Sequence, residues 1–273
     1  MGEMGVWRST VPGRESSSAA VARQASPEAR ARHLDELEDV LTGYSAEDPP
    51  LPTSPLPIET FNPAYREEGL DWPSTALTMV GRRRLHNFRA LIEQAIDEGI
   101  PGDILEAGVW RGGASILARA VLASYGVTDR RVIVADSFEG LPPPSDEFPA
   151  DADATFHTLP DLAVSLDEVR ANFDRFGLLD EQVVFLEGWF RDTMPLVDAK
   201  ALAVLRLDGD MYESTIVPLV HLYDRLSPGA WVIVDDYRLM AGCRKAVKDF
   251  LADRGSRPRL SRIDDIGVYF RKE

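Results

Sequence analysis

Apolar residues recur along this chain with two spacings, which alternate from about residue 85 onward. Short, nearly continuous apolar runs predict buried strands over 104–109, 131–135, 183–186, 202–207 and 231–234. Between and around them, apolar residues three and four positions apart predict helices over 85–99, 115–125, 165–176, 215–226 and 244–252. Two last stretches, 260–263 and 267–270, predict a hairpin that adds an antiparallel strand. Because strands joined through helices run parallel, we expect an α/β fold, a doubly wound and mostly parallel sheet with helices on both faces.

The N-terminal part of the chain departs from this alternation. Residues 1–26 have almost no apolar periodicity, and we expect a disordered tail there. Residues 27–80 predict a helix that begins after the N-cap Ser26, followed by a proline-rich linker over 49–57 and an ordered arm or lid. Residues 81–273 are long enough to form one large domain.

Carboxylates follow two of the predicted strands at the point where each strand ends. Asp208 and Asp210 flank Gly209 after the fourth strand, and Asp235 and Asp236 follow the fifth. In a parallel sheet these ends lie at one edge, where open α/β sheets bind their ligands. Carboxylates that are close together repel one another unless a cation neutralises them, and divalent cations such as Mg²⁺ prefer oxygen ligands. We assign Asp208, Asp235 and Asp236 as metal ligands. We expect Asp210 to cap the next helix, with a role as a further ligand as the alternative.

The ends of the first three strands carry residues that suit a nucleoside. Glycines after the first strand let a ligand approach the backbone at a helix N-terminus. A carboxylate after the second strand can accept two hydrogen bonds from a ribose diol, and aromatic rings after the third can wall a purine. The residues assigned in this way are Gly108, Gly112, Asp136, Ser137, Gly188, Trp189 and Phe190. The sequence has no phosphate-binding G-x-x-x-x-G-K-[ST] loop, so a nucleoside without phosphates beside a metal predicts S-adenosylmethionine.

Composition narrows the range of partners. The net charge is −15 and the pI about 4.7, which argues against nucleic acid and against anionic membrane surfaces. One cysteine, Cys243, permits no intrachain disulfide. No apolar run approaches the length of a membrane span, and the first residues lack the apolar core of a signal peptide. We therefore expect a cytoplasmic location.

The order of these motifs is specific enough to suggest a family. The chain resembles the macrocin O-methyltransferases, which methylate deoxysugar hydroxyls on macrolides and aminocoumarins. The matching stretches are TMVG (78–81), PGDILEAGVWRGGA (101–114), VADSF (134–138), GLLDEQ (177–182), GWFRDTMP (188–195), LRLDGDMY (205–212) and VDDY (234–237). The resemblance implies a Rossmann-like class I methyltransferase fold over 81–273, with S-adenosylmethionine and Mg²⁺ as cofactors. The chain departs from the family pattern at Ala107, where Thr is expected, and at Leu207, where Met is usual. It departs most over the stretch 142–161, and this leaves the acceptor undefined.

Three more residues complete the expected cofactor site. Glu106, at the end of the first strand, is placed to accept from the amino group of the methionine part. Arg111 is assigned to its carboxylate, with a surface salt bridge as the alternative. Met79 is expected to line the cleft, with a place in the core as the alternative.

The expected reaction requires removal of a proton from a sugar hydroxyl. A divalent cation lowers the pKa of a bound hydroxyl, and three aspartates, two adjacent hydroxyls and one water would complete six ligands. This count favours a vicinal diol on a small-molecule glycoside as acceptor. Asp208 at the metal edge is the first candidate for the general base, and His157, in the long loop 141–160, is the second.

Other functions remain open at this stage. A catechol-type O-methyltransferase uses the same metal chemistry on an aromatic diol, and a non-catalytic paralogue would bind the cofactor only. An NAD-dependent dehydrogenase is disfavoured because Asp136 lies 28 residues beyond Gly108, whereas about 20 is usual. We expect a homo-oligomer and, as a hypothesis, dimerisation through the apolar face of the N-terminal helix.

Overall fold

The computed structural model describes residues 26–56 and 58–273, so the predicted tail lies outside it except for Ser26. The helices of this part are α1 (Pro27–Leu41), α2 (Pro63–Glu68), α3 (Arg82–Asp97), α4 (Gly113–Ser124), α5 (Leu166–Arg175), α6 (Phe190–Thr193), α7 (Tyr212–Leu222) and α8 (Ala241–Asp253). The strands are β1 (Asp103–Ala107), β2 (Val132–Asp136), β3 (Val183–Glu187), β4 (Leu202–Leu207), β5 (Leu226–Val234), β6 (Ser261–Arg262) and β7 (Val268–Arg271). Across the described ranges, no helix combines the length and apolar character needed to cross a membrane.

The strands form one sheet in the order β3-β2-β1-β4-β5-β7-β6. The first five of these pair in parallel, and β7 is antiparallel to both β5 and β6. Strands β1 and β4 are buried along their whole length, as expected for strands covered by helices on both faces. The predicted α/β sheet with a terminal antiparallel strand is therefore confirmed.

The register of the sheet aligns the ends of its four central strands. Ala107 of β1 pairs with Ala135 of β2 and Leu207 of β4, and Leu207 pairs with Val234 of β5. The next residues along the chain are Gly108, Asp136, Asp208 and Asp235. These four residues therefore lie side by side at the carboxyl ends of the parallel strands, which is the edge of the sheet where the predicted site lies.

Three predicted boundaries around α7 and β5 are wrong. The helix expected over 215–226 is α7, which begins at Tyr212, ends at Leu222 and contains Pro218. The strand expected from residue 231 begins at Leu226. The start of β5 was mispredicted because its pairing with β4 is irregular. Leu202 pairs with Leu226 but Val204 pairs with Trp231, so the Pro228-Gly229 turn signal lies inside a bulged strand.

Helix α1 buries its apolar face within the chain. Leu34 and Leu41 are fully buried, and α1 packs against α4 and α3. The apolar face that motivated dimerisation through this helix is thus already covered, and it no longer supports that hypothesis. A homo-oligomer stays a prediction.

The arm, residues 42–80, is held together by a buried arginine. Arg66 is 0% exposed and forms a salt bridge with Asp71 at 2.7 Å. It also donates to the carbonyl oxygens of Thr42 and Asp48, each at 2.7 Å. Since every nitrogen of this guanidinium has an acceptor, Arg66 holds three separate turns of the arm together.

Candidate active site

The ends of β1 and β4 approach each other so closely that only glycine fits between them. Gly108 has a φ of +88°, and a Cβ placed on it would lie 1.8 Å from the carbonyl oxygen of Asp208. The amide of Asp208 donates to the Ala107 carbonyl at 2.9 Å, and that of Asp235 donates to Leu207 at 2.9 Å. The backbone thereby fixes the positions from which the acidic side chains project.

A cavity that opens to solvent lies at the carboxyl ends of these strands. The lining residues are Met79, Gly108, Val109, Trp110, Asp136, Ser137, Gly140, Leu141, Pro142, Leu162, Trp189, Phe190, Asp208, Gly209, Asp210, Glu213 and Ser214. The predicted site residues outside this lining are Glu106, Arg111, Gly112, His157, Gly188, Asp235 and Asp236.

Asp136 ties together the loops that follow β1 and β2. One of its carboxylate oxygens accepts from the amide of Val109 at 2.7 Å, and the other accepts from Phe138 at 2.9 Å. Burial raises the pKa of Asp136, and these backbone hydrogen bonds act in the opposite direction. The carboxylate lies on the cavity wall in a fixed orientation.

Arg111 and Gly112 contribute to packing around the cavity. Arg111 donates to the carbonyl oxygens of Pro73 at 3.2 Å and Ala76 at 2.9 Å, and its guanidinium stacks 4.0 Å from the Trp110 ring centroid. Its side chain therefore holds the arm against the loop after β1, and its contact with a cofactor carboxylate stays a prediction. Gly112 leaves room for Val169 of α5, whose Cγ1 would lie 2.8 Å from an added Cβ.

Glu106 lies behind the cavity wall, at 2% exposure. One oxygen accepts from Arg206 at 2.7 Å, and the other accepts from the Ser115 hydroxyl. Burial raises the pKa of Glu106 to about 7, against the opposing effects of Arg206 and Ser115. Both oxygens thus have partners within the protein, and the predicted contact with the methionine amino group stays untested.

The acidic cluster consists of Asp208, Asp235 and Asp236. Each offers one carboxylate oxygen, and these atoms lie within 4.8 Å of one another. Asp235 and Asp236 are buried, whereas the Asp208 side chain is 25% exposed and faces the cavity. Burial, and then the charges of neighbouring carboxylates, raise the pKa of Asp208 and of Asp236. The cluster therefore carries negative charge that the folded chain only partly compensates.

Two arginines that the sequence analysis missed contact this cluster. Arg206 of β4 donates to Asp208 at 2.8 Å and to Asp235 at 2.5 Å. Arg84 of α3 donates to the other oxygen of Asp235. A charged residue within the apolar run 202–207 was a usable signal for Arg206, whereas nothing distinguished Arg84 from its neighbours Arg82 and Arg83.

The expected role of Asp210 as a helix cap is wrong. The amides of Tyr212 and Glu213 donate instead to the carboxylate of Asp151, at 2.7 and 2.9 Å. Asp210 has a φ of +58° and lines the cavity, and its own amide donates to Asp236 at 3.2 Å. Burial and then the charge of Asp208 raise the pKa of Asp210 to about 7. Asp210 is thus a further acidic group on the cavity wall.

The loop between β2 and α5 covers part of the cavity and is fastened at two points. Asp151 accepts from the start of α7, and the Asp161 backbone and side chain accept from Trp110 at 2.8 Å and Thr53 at 2.6 Å. His157 lies between these points in a short 3-10 turn, is exposed, and is not part of the lining. The structure does not bring it to the acidic cluster, so its role as a base stays a prediction.

Comparison with known proteins decides the family. Residues 26–272 match the macrocin-O-methyltransferase (TylF) family. The chain belongs to this family. This family member is 49% identical to the 8-demethyl-8-(2,3-dimethoxy-alpha-L-rhamnosyl)-tetracenomycin-C 4'-O-methyltransferase of Streptomyces olivaceus, over 89% of this chain and 94% of the relative. It is 45% identical to the mycinamicin III 3''-O-methyltransferase of Micromonospora griseorubida, over 88% and 96% of the two chains.

A solved structure supports the same assignment. The O-methyltransferase NovP superposes on this family member with a TM-score of 0.85 at 45% identity, covering 89% of this chain and 99% of NovP. The resemblance stated from sequence motifs is therefore confirmed, and the chain is an enzyme of the methyltransferase class.

Proposed function

We propose that this enzyme transfers a methyl group from S-adenosylmethionine to one hydroxyl of a vicinal diol on a deoxysugar of a glycosylated natural product, with the help of Mg²⁺. The observation that carries the proposal is that one cavity is lined both by residues that suit a nucleoside, after β1, β2 and β3, and by acidic residues after β4. Asp136 belongs to the first group, the nucleoside half, and Asp208 to the second, the acidic half. The relatives support the acceptor class, because their names describe a rhamnosyl tetracenomycin and mycinamicin III as substrates.

The nucleoside half has the features that S-adenosylmethionine needs. Gly108 is part of the cavity lining at the end of β1, and Asp136 presents a fixed carboxylate at the end of β2. Trp189 and Phe190 add aromatic surface to the lining. These residues would receive the ribose and the adenine, since a carboxylate at this strand end suits a diol and aromatic rings suit a purine.

The acidic cluster fits Mg²⁺ by its donor chemistry. It offers carboxylate oxygens alone, which are the ligands that this hard cation prefers. Asp208 and Asp236 lie among like charges, and a cation between them would relieve that repulsion. We therefore propose Asp208, Asp235 and Asp236 as the residues that would hold Mg²⁺.

The chain's own residues would then orient the acceptor and take its proton. A bound divalent cation lowers the pKa of a coordinated hydroxyl and orients it. In the transfer the acceptor oxygen forms a bond with the methyl carbon as the carbon–sulfur bond breaks, and the hydroxyl proton passes to a base. Asp208 is our candidate, because it lies at the cavity surface and has one oxygen that accepts no hydrogen bond from the described residues. Asp210 and His157 are the alternatives.

The experiment is transfer of a labelled methyl group to a panel of deoxysugar glycosides and catechols, with Mg²⁺ or with EDTA. Transfer to a glycoside diol that EDTA abolishes is the expected result. Transfer that survives EDTA would exclude the metal, and activity on catechols alone would favour a catechol-type O-methyltransferase. If S-adenosylmethionine binds but no acceptor is methylated, a non-catalytic paralogue becomes the better account.

Replacement of Asp136 by Asn is expected to weaken S-adenosylmethionine binding about 10- to 100-fold, the range for losing charge-assisted hydrogen bonds to a ligand. Asn keeps the shape but loses the charge and one of the two acceptor oxygens now used by the Val109 and Phe138 amides. Titration calorimetry with the cofactor measures the change. Glu187→Gln is the control, because Glu187 pairs with Asp136 in the sheet but is exposed and outside the lining. Equal affinities for the two variants would rule out the assigned role of Asp136.

A further inference from the structure

One of the two arginines at the acidic cluster, Arg206, lies where an apolar side chain would be expected. Arg206 is the fifth residue of the six-residue strand β4, between Leu205 and Leu207, and its side chain is 1% exposed. A buried ion pair is costly to desolvate and is often no more stabilising than apolar residues of similar size. The position of this arginine therefore calls for a role other than general stability.

Arg206 contacts the ends of three strands. Its guanidinium donates to Glu106 of β1 at 2.7 Å, to Asp208 after β4 at 2.8 Å and to Asp235 after β5 at 2.5 Å. Glu106 is buried, and its other oxygen accepts a hydrogen bond from the Ser115 hydroxyl. Arg206 thus uses one fixed carboxylate as a support from which it orients two of the three cluster carboxylates.

Arg84 approaches Asp235 from the side of helix α3. It donates to the second oxygen of Asp235, and its Nε lies 3.1 Å from Asp264. Its remaining nitrogen donates to the carbonyl oxygens of Glu68 at 3.1 Å and Gly69 at 3.2 Å. Arg84 is therefore fixed by both the arm and the C-terminal turn, and it cannot follow Asp235 if that side chain rotates.

The three cluster carboxylates are consequently held to different degrees. Asp235 has a guanidinium on each oxygen, Asp208 has one guanidinium, and Asp236 accepts only the amide of Asp210 among the described residues. A carboxylate held through both oxygens keeps one orientation of its remaining lone pairs. Such outer contacts typically change metal affinity 10- to 100-fold when they are removed.

We infer that Arg206 and Arg84 are positioning residues that hold Asp235 and Asp208 in the orientation needed for divalent-cation binding. This inference rests on the proposed function, since it concerns the same metal site. The two guanidinium groups lower the repulsion among the carboxylates, and the three carboxylates of the cluster outnumber them. The cluster therefore keeps the negative charge that attracts a cation while its geometry is fixed beforehand, which lowers the cost of ordering ligands on binding.

The test is Mn²⁺ binding to the full chain, measured by electron paramagnetic resonance with no methyl donor or acceptor present. Arg206→Met and Arg84→Gln are each expected to raise the Kd for Mn²⁺ about 10- to 100-fold. Arg206→Lys, which keeps the charge but cannot reach all three carboxylates, is expected to lie between Met and wild type. In activity assays Arg84→Gln is expected to need more Mg²⁺ than wild type for half-maximal rate.

The matched control is Arg119→Met, another buried arginine, which pairs with Asp180 at 2.5 Å away from the cavity. It is expected to leave Mn²⁺ affinity unchanged. Circular dichroism checks that each variant is folded, and if Arg206→Met does not fold, Arg84→Gln and Arg206→Lys decide the question.

Unchanged or tighter Mn²⁺ binding in folded Arg206 and Arg84 variants would overturn the inference, because the arginines would then be bystanders or competitors of the cation. Failure of the wild-type chain to bind Mn²⁺ would instead overturn the metal site itself, and with it this inference. The two failures are therefore separated by the wild-type measurement.

Discussion

Asp236→Asn is expected to reduce kcat/KM for methyl transfer about 10³-fold, which corresponds to roughly 4 kcal/mol of transition-state stabilisation. Asn has the same shape but supplies a neutral oxygen in place of a charged metal ligand. Asp236 is the cluster member without an arginine contact among the described residues, so the variant disturbs no ion pair. Initial rates with saturating S-adenosylmethionine and Mg²⁺ measure the effect.

The same variant is expected to be no less stable than wild type when EDTA is present. Burial and neighbouring carboxylates disfavour the charged form of Asp236, so a neutral side chain removes repulsion from the metal-free protein. Loss of activity together with retained thermal stability would separate a functional role from a structural one. Asp129→Asn is the control, since Asp129 is exposed in the turn before β2, at the opposite edge of the sheet. Activity within threefold of wild type for Asp236→Asn would remove this residue from the proposed metal site.

Arg66→Leu is expected to lower the free energy of unfolding by about 3–5 kcal/mol. The variant leaves the carboxylate of Asp71 buried without a counter-charge and two carbonyl oxygens, those of Thr42 and Asp48, without their donor. Unfolding in urea, followed by fluorescence, measures the loss. Because this network holds the arm together, the unfolding curve of the variant is expected to show a separate early transition if the arm opens before the sheet.

Arg83→Leu provides the comparison for this prediction. Arg83 pairs with Glu68 at 2.7 Å but its side chain is 54% exposed, and exposed ion pairs contribute about 0–1 kcal/mol. A similar, small loss in both variants would show that the buried network adds little to the stability of the arm.

Most of the sheet could be predicted because its information is local. Each parallel strand is a short apolar run, and the two periodicities separate strands from helices without reference to distant residues. The start of α7 was missed because its capping group is Asp151, which is 61 residues away in the chain from the amide of Tyr212. The bulge in β5 was missed because Pro228 and Gly229 normally signal a turn.

The site was predictable to the extent that it depends on strand ends. Asp136, Asp208 and Asp235 lie in one row at the strand ends because the strands are parallel and in register. The parallel arrangement follows from the alternation of strands and helices along the chain. The partners of Glu106 and Arg111 depend on which side chains the register and the arm bring into contact. No single-sequence pattern encodes those pairings, so the partners of Arg206 and Arg84 became visible only in three dimensions.

The way Arg111 holds the arm has a consequence for how enzymes of this kind can diversify. Arg111 grips the carbonyl oxygens of Pro73 and Ala76, and the amide of Gly113 donates to the carbonyl of Leu77. These acceptors belong to the backbone, and almost any amino acid supplies them. Exposed side chains of the arm can therefore change without loss of these contacts. Arg111 and Gly113 cannot, because Arg111 supplies the donors and a Cβ on Gly113 would lie 2.6 Å from the Leu77 carbonyl oxygen.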